Sequence, residues 1–61
     1  MRIIPNKSLR SAEWAKDSKP SKAVADLMSK HGIAVLVAGH GYNVPDDLGK
    51  AIVKANAGEE A

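Results

Sequence analysis

The chain contains no cysteine, so no disulfide can staple it. A cysteine-free chain suits a reducing compartment, and a cytoplasmic location is the expectation. Long apolar runs are also missing. The longest covers residues 33–38, far short of the ~20 residues a membrane span needs, so no membrane association is expected. Residues 1–5 are too few to form the apolar core of a secretion signal. Asn6, Lys7 and Ser8 match a glycosylation sequon, which without such a signal reads as coincidence. Metal-ligand spacings are absent as well. His31 and His40 stand near Asp46 and Asp47, but no HxxH, HExxH or CxxC pattern joins them, and neither metal nor cofactor is expected. Gly39, His40 and Gly41 lack both phosphate-loop patterns and read as a turn. Serine, histidine and aspartate all occur without a nucleophile motif, and a chain this short barely forms a pocket. The expectation is a protein that binds rather than catalyses.

What is present is one small domain, expected over residues 1–56, with residues 57–61 as a frayed tail. A chain of 61 residues buries only about 60% of the surface its unfolded form exposes. The candidate core is Ile3, Ile4, Leu9, Trp14, Val24, Leu27, Met28, Ile33, Val35, Val37, Val44, Leu48 and Ile52. With neither disulfide nor metal available, association with itself or a partner is the remaining source of added stability. Charge is uneven. Residues 1–30 carry seven basic and three acidic side chains, net +4, and residues 31–61 carry two and four, net −2. A basic half can face phosphate or an acidic protein surface, or can simply be solvated.

Periodicity gives the elements. Arg2, Ile3 and Ile4 read as a short strand closed by Pro5, which lacks a ladder donor. Residues 9–16 read as a first helix entered through a Ser8 cap, with Leu9 and Ala12 at helical spacing. Pro20 ends that segment, and Pro20 or Ser21 starts a second helix. In that helix Val24, Leu27, Met28 and His31 form one apolar face and Gly32 is the stop. Residues 33–38 read as a strand with apolar side chains on both faces, Ile33, Val35 and Val37 on one and Ala34, Leu36 and Ala38 on the other. Two readings stand for it: burial between helices, or an exposed strand that pairs with a second copy or a partner. Tyr42, Asn43 and Val44 return as the second strand of a hairpin. Asp46 or Asp47 then caps a third helix with Leu48, Ala51, Ile52 and Ala55 on one face. The expected fold is α+β in the order strand, helix, helix, hairpin, helix, the outline of a winged helix-turn-helix.

Ser11, Ala12, Glu13, Trp14 and Ala15, then Pro20 and Ser21, then Gly32 and Ile33, then Gly41, Tyr42, Asn43 and Val44 together resemble the small excisionase-type winged helix of phages. Residues 32–44 are also similar to the wing of GntR-type regulators. The resemblance covers about residues 9–45. It implies double-stranded DNA as partner and an architectural or regulatory role. Ser21, Lys22, Ala25, Asp26 and Ser29 would face the major groove, Lys19 and Lys30 would meet phosphate, and His40 would sit at the wing tip. The chain departs from that pattern in three ways. The wing strands carry no Lys or Arg, Asp26 lies on the presumed reading face, and Leu27 and Met28 stand where the family has an aromatic residue.

Two functions therefore compete. One is a DNA-binding regulatory or architectural protein that uses its second helix. The other is a protein-interaction module, such as an inhibitor, an antitoxin-like partner or a virion component, that pairs through the 33–44 hairpin at Ala34, Leu36 and Ala38.

Overall fold

The computed structural model describes residues 1–17 and 19–61. Eight elements follow one another: β1 (Arg2–Pro5), β2 (Leu9–Arg10), α1 (Ser11–Trp14), α2 (Ser21–Lys30), β3 (Val35–Leu36), β4 (Tyr42–Asn43), α3 (Asp46–Lys54) and β5 (Gly58–Glu60). This is a small α+β domain with two antiparallel sheets. One has the order β4-β1-β5 and the other joins β2 to β3.

The expected hairpin between residues 33 and 44 does not form. β3 pairs with β2, Leu9 opposite Leu36 and Arg10 opposite Val35. β4 pairs instead with β1, Arg2 opposite Asn43 and Ile3 opposite Tyr42. Residues 37–41 thus cross from one sheet to the other. Gly39 makes that crossing with φ 83° and donates its N–H to the Pro5 carbonyl at 2.9 Å. The physical reason is burial. Two apolar strands precede the helices, and each takes one later strand, so that Ile3 and Leu9 are both fully enclosed. A β3–β4 hairpin would satisfy the same backbone groups while leaving β2 without a partner.

The first helix is also shorter than the periodicity suggests. Leu9 and Arg10 extend to meet β3, and Ser11 donates its N–H to the Ala34 carbonyl at 3.1 Å. Only one α-turn remains. It tightens at once into i→i−3 bonds, Lys16 to Glu13 and Asp17 to Trp14. Its preceding residue is Arg10, with no side-chain cap, so Ser8 has no capping role. The second helix matches its expected span. Gly32, at φ 72°, closes it in a Schellman turn, with the Ile33 N–H on the Met28 carbonyl at 2.8 Å and the Gly32 N–H on that of Ser29 at 3.1 Å.

The third helix ends in the same motif. Asn56 takes the left-handed position (φ 56°), the Ala57 N–H bonds the Ile52 carbonyl at 3.0 Å, and the Asn56 N–H bonds that of Val53 at 3.0 Å. Asparagine is the commonest stand-in for glycine at this position. The turn sends residues 58–60 back along β1, so the expected frayed tail is instead a sheet strand. At its N-terminus α3 is preceded by Pro45 rather than capped by Asp46 or Asp47. Asp47 accepts the Leu48 N–H at 2.8 Å, and Asp46 pairs with the Met1 ammonium at 3.3 Å.

Ile3, Leu9, Val24, Met28, Leu36, Val44, Leu48, Ile52 and Ala57 form the core. Trp14, Leu27 and Ile33 pack against it partly buried. Three expected core residues lie outside: Ile4 on the outer face of β1, and Val35 and Val37 around β3. Leu36, expected at an interface, is 3% exposed. No helix of the described residues is long and apolar enough to cross a membrane.

Candidate nucleic-acid interface

Helical spacing divides α2 cleanly. Val24, Ala25 and Met28 are buried, Ser21, Ala23 and Leu27 are half-buried, and Lys22, Asp26, Ser29 and Lys30 are exposed. The exposed four fall within about one third of the helix circumference at 100° per residue. Lys22, Asp26 and Lys30 follow one another at i, i+4 and i+8, one turn apart. Lys19 is exposed in the turn that leads into the helix. Of the residues expected at a groove, Lys22, Asp26, Ser29 and Lys30 therefore share one accessible side, with Ser21 at its edge and Lys19 exposed in the turn before it. Ala25 does not belong to it. Its side chain is fully enclosed, on the inward face beside Val24 and Met28, and no ligand can touch it. His40 is exposed but sits on the crossing between sheets, not at the tip of a wing.

Two contacts fix how α2 and α3 run. At one end the Nε2 of His31, just past α2, donates to the Asp47 carboxylate at 3.2 Å, in the first turn of α3. At the other end Lys19, Pro20 and Ala23 share a crevice with Ala51 and Lys54. The helices are antiparallel neighbours, and the exposed lysines of α3, Lys50 and Lys54, join those of α2. For Lys50 and Lys54, sequence periodicity gave only the third helix on which they stand, with its apolar face at Leu48, Ala51, Ile52 and Ala55. It did not show that the third helix lies beside the second, so these two residues were not among the expected contacts.

The charge balance of this helix pair follows from its carboxylates. Asp46 is engaged by the chain's ammonium group and Asp47 by His31. The His31 hydrogen bond, ahead of the Leu48 N–H and the nearby positive charges, holds the Asp47 carboxyl below the usual carboxylate range. Of these three carboxylates only Asp26 has no ion-pair or hydrogen-bond partner among the described residues. The three ion pairs among the described residues involve the chain's ammonium, Arg10 with Glu13, and His31. No lysine takes part in them. Glu59 and Glu60, the remaining acids of the second half, lie on β5.

Among the described residues no polar side chain is buried. No three of His, Asp and Glu gather at metal-binding distance. The residues expected at a protein interface divide as well. Ala34 and Ala38 are exposed, whereas Leu36 points inward between β2 and the core.

In comparisons with known proteins, no family model, no curated protein and no solved structure matches this chain.

Proposed function

We propose that this domain binds duplex DNA through the exposed side of α2, with phosphate neutralisation supplied by Lys19, Lys22 and Lys30 and by Lys50 and Lys54 of the adjoining helix. The observation that carries the reading is that none of these five lysines takes part in an ion pair among the described residues, beside carboxylates that are mostly engaged elsewhere. Free ammonium groups on a rigid helix pair release condensed counterions when they meet a phosphate backbone, and that release is the main sequence-independent driving force. Ser29 and Asp26 lie between the lysines and are the groups left to touch base edges. A carboxylate there repels phosphate but accepts a hydrogen bond from cytosine N4. With β3 and β4 in separate sheets, groove contact falls to α2 and none is assigned to a wing. A regulatory or architectural role of the excisionase kind fits such a contact.

Fluorescence anisotropy with a labelled duplex tests this. The expected dissociation constant for arbitrary sequence is of order 10⁻⁶ to 10⁻⁴ M at physiological salt, and the affinity rises steeply as salt is lowered toward about 50 mM. Lys22→Ala lowers the affinity and reduces the salt slope by about one. Absence of any anisotropy change at about 100 μM protein in low salt refutes the reading.

A further inference from the structure

Where α2 and α3 lie side by side, a crevice opens beside the start of α2. Three apolar residues, Pro20, Ala23 and Ala51, and two exposed lysines, Lys19 and Lys54, line it. It is open because Ala23 and Ala51 end at Cβ. Both are only half-buried, so the core does not seal their methyl groups from water. No carboxylate among the described residues lines it. Asp46 and Asp47 stand in the first turn of α3, at the other end of the helix pair. Asp26 lies further along α2 on its exposed side.

Two requirements decide what can occupy the crevice. Its two ammonium groups repel one another and belong to no ion pair among the described residues, so a ligand must bring negative charge to both. The surface they share is apolar, so the middle of the ligand must be apolar to displace its water. Inorganic phosphate meets the first requirement and leaves the apolar surface wet. A neutral apolar group meets the second and desolvates two uncompensated charges. One repeating unit of a DNA strand meets both, because each deoxyribose presents carbon-bound hydrogens between two phosphates. The crevice volume of about 270 Å³ lies below the ~300–1,000 Å³ of pockets for drug-sized ligands, which suits one sugar rather than a whole nucleoside.

We infer that the crevice seats one deoxyribose of a DNA strand, with the phosphates on its two sides held by Lys19 and Lys54. This rests on the duplex-binding reading and gives it an anchor. Phosphate contacts fix register and orientation, while base edges carry sequence. A strand held at the start of α2 therefore sets where Asp26 and Ser29, further along the helix, meet the base edges.

Filling the crevice without removing a lysine tests this. Ala23→Leu keeps a good helix former and pushes the strand away from both lysines. Duplex affinity, read by fluorescence anisotropy, is expected to fall about tenfold. The slope of log affinity against log salt is expected to shrink by about two, one for each phosphate lost. Val53→Leu, exposed on α3 and outside the crevice, is expected to change neither. Wild type that binds duplex while a folded Ala23→Leu variant matches it in affinity and slope overturns the inference and leaves the duplex reading standing. Wild type that binds no duplex removes both. Thymidine bisphosphate, with one phosphate on each side of its sugar, gives a second measurement on the unaltered protein. In methyl nuclear magnetic resonance spectra it is expected to shift the Ala23 and Ala51 signals at about 1–10 mM, whereas inorganic phosphate at equal ionic strength leaves them in place. Signals that move with neither, or equally with both, overturn the inference.

Discussion

Removing residues 57–61 should unfold this domain. If those residues were a frayed tail, a chain ending at Asn56 would lose almost nothing. The geometry gives a different magnitude. Asn6 donates to the Ala57 carbonyl and Ala61 to the Arg2 carbonyl, both at 2.9 Å, and Ala57 donates to Ile52 at 3.0 Å. The β1–β5 register places Ile4 opposite Glu59 as the pair that exchanges two more bonds. Five bonds at roughly 1 kcal/mol net come to about 5 kcal/mol. The buried Ala57 methyl adds about 0.8 kcal/mol, and its loss also uncovers Ile52. A 61-residue domain has a total stability of about 3–9 kcal/mol, so the shortened chain should be largely unfolded. Far-ultraviolet circular dichroism during urea titration is the assay. A cooperative transition for residues 1–56 within about 0.5 kcal/mol of the full chain would refute the reasoning. Gly58→Ala is the single-residue counterpart. The added Cβ would sit 2.9 Å from the Ile4 carbonyl oxygen and 2.9 Å from Ile52 Cγ2, and a net loss of about 1–3 kcal/mol is expected from the forced separation of β5, β1 and α3.

Leu36→Lys should unfold the chain rather than merely change its association, because it places an ammonium in the core beside Leu9. A folded, stable Leu36→Lys protein in the same urea titration would show that the β2–β3 pairing is wrong. The Asp47 carboxyl is held below its ordinary range in the folded chain, so it contributes stability that is fully present above the unfolded value and is lost as pH falls through the folded one. Urea midpoints measured below about pH 4 should therefore converge for wild type and Asp47→Asn, and a gap that widens with acidity would contradict the His31 contact. Asp26→Asn should tighten binding to arbitrary duplex by removing a carboxylate from between Lys22 and Lys30. Unchanged affinity at low salt would show that α2 does not face the phosphates.

Some of this was legible along the chain. The second helix could be read from its apolar spacing, its Gly32 stop and its Pro20 start, because each is set by residues within one turn. The third helix and the first strand were legible for the same reason. The lysines of α2 could be named, since a 3.6-residue period fixes which side chains oppose an apolar face. Ala25 was misassigned because α1 packs on α2 and widens the buried sector beyond the Val24–Met28 stripe, a fact about neighbours rather than spacing.

Composition and local pattern determined that this is a small, disulfide-free α+β domain with a basic first half and a helix that presents lysines. Only the tertiary structure decided which strands pair. Residues 33–38 and 42–44 could have bonded each other, and no local signal forbids it. The choice rests on Ile3 and Leu9, distant in sequence, each of which is enclosed only when it recruits one of those strands. The same kind of long-range pairing turned residues 58–60 from a tail into a strand. It also put Lys54 beside Lys19, left Val35 open at an edge and buried Leu36, because backbone bonds and apolar contacts are satisfied over the whole chain and not within one segment.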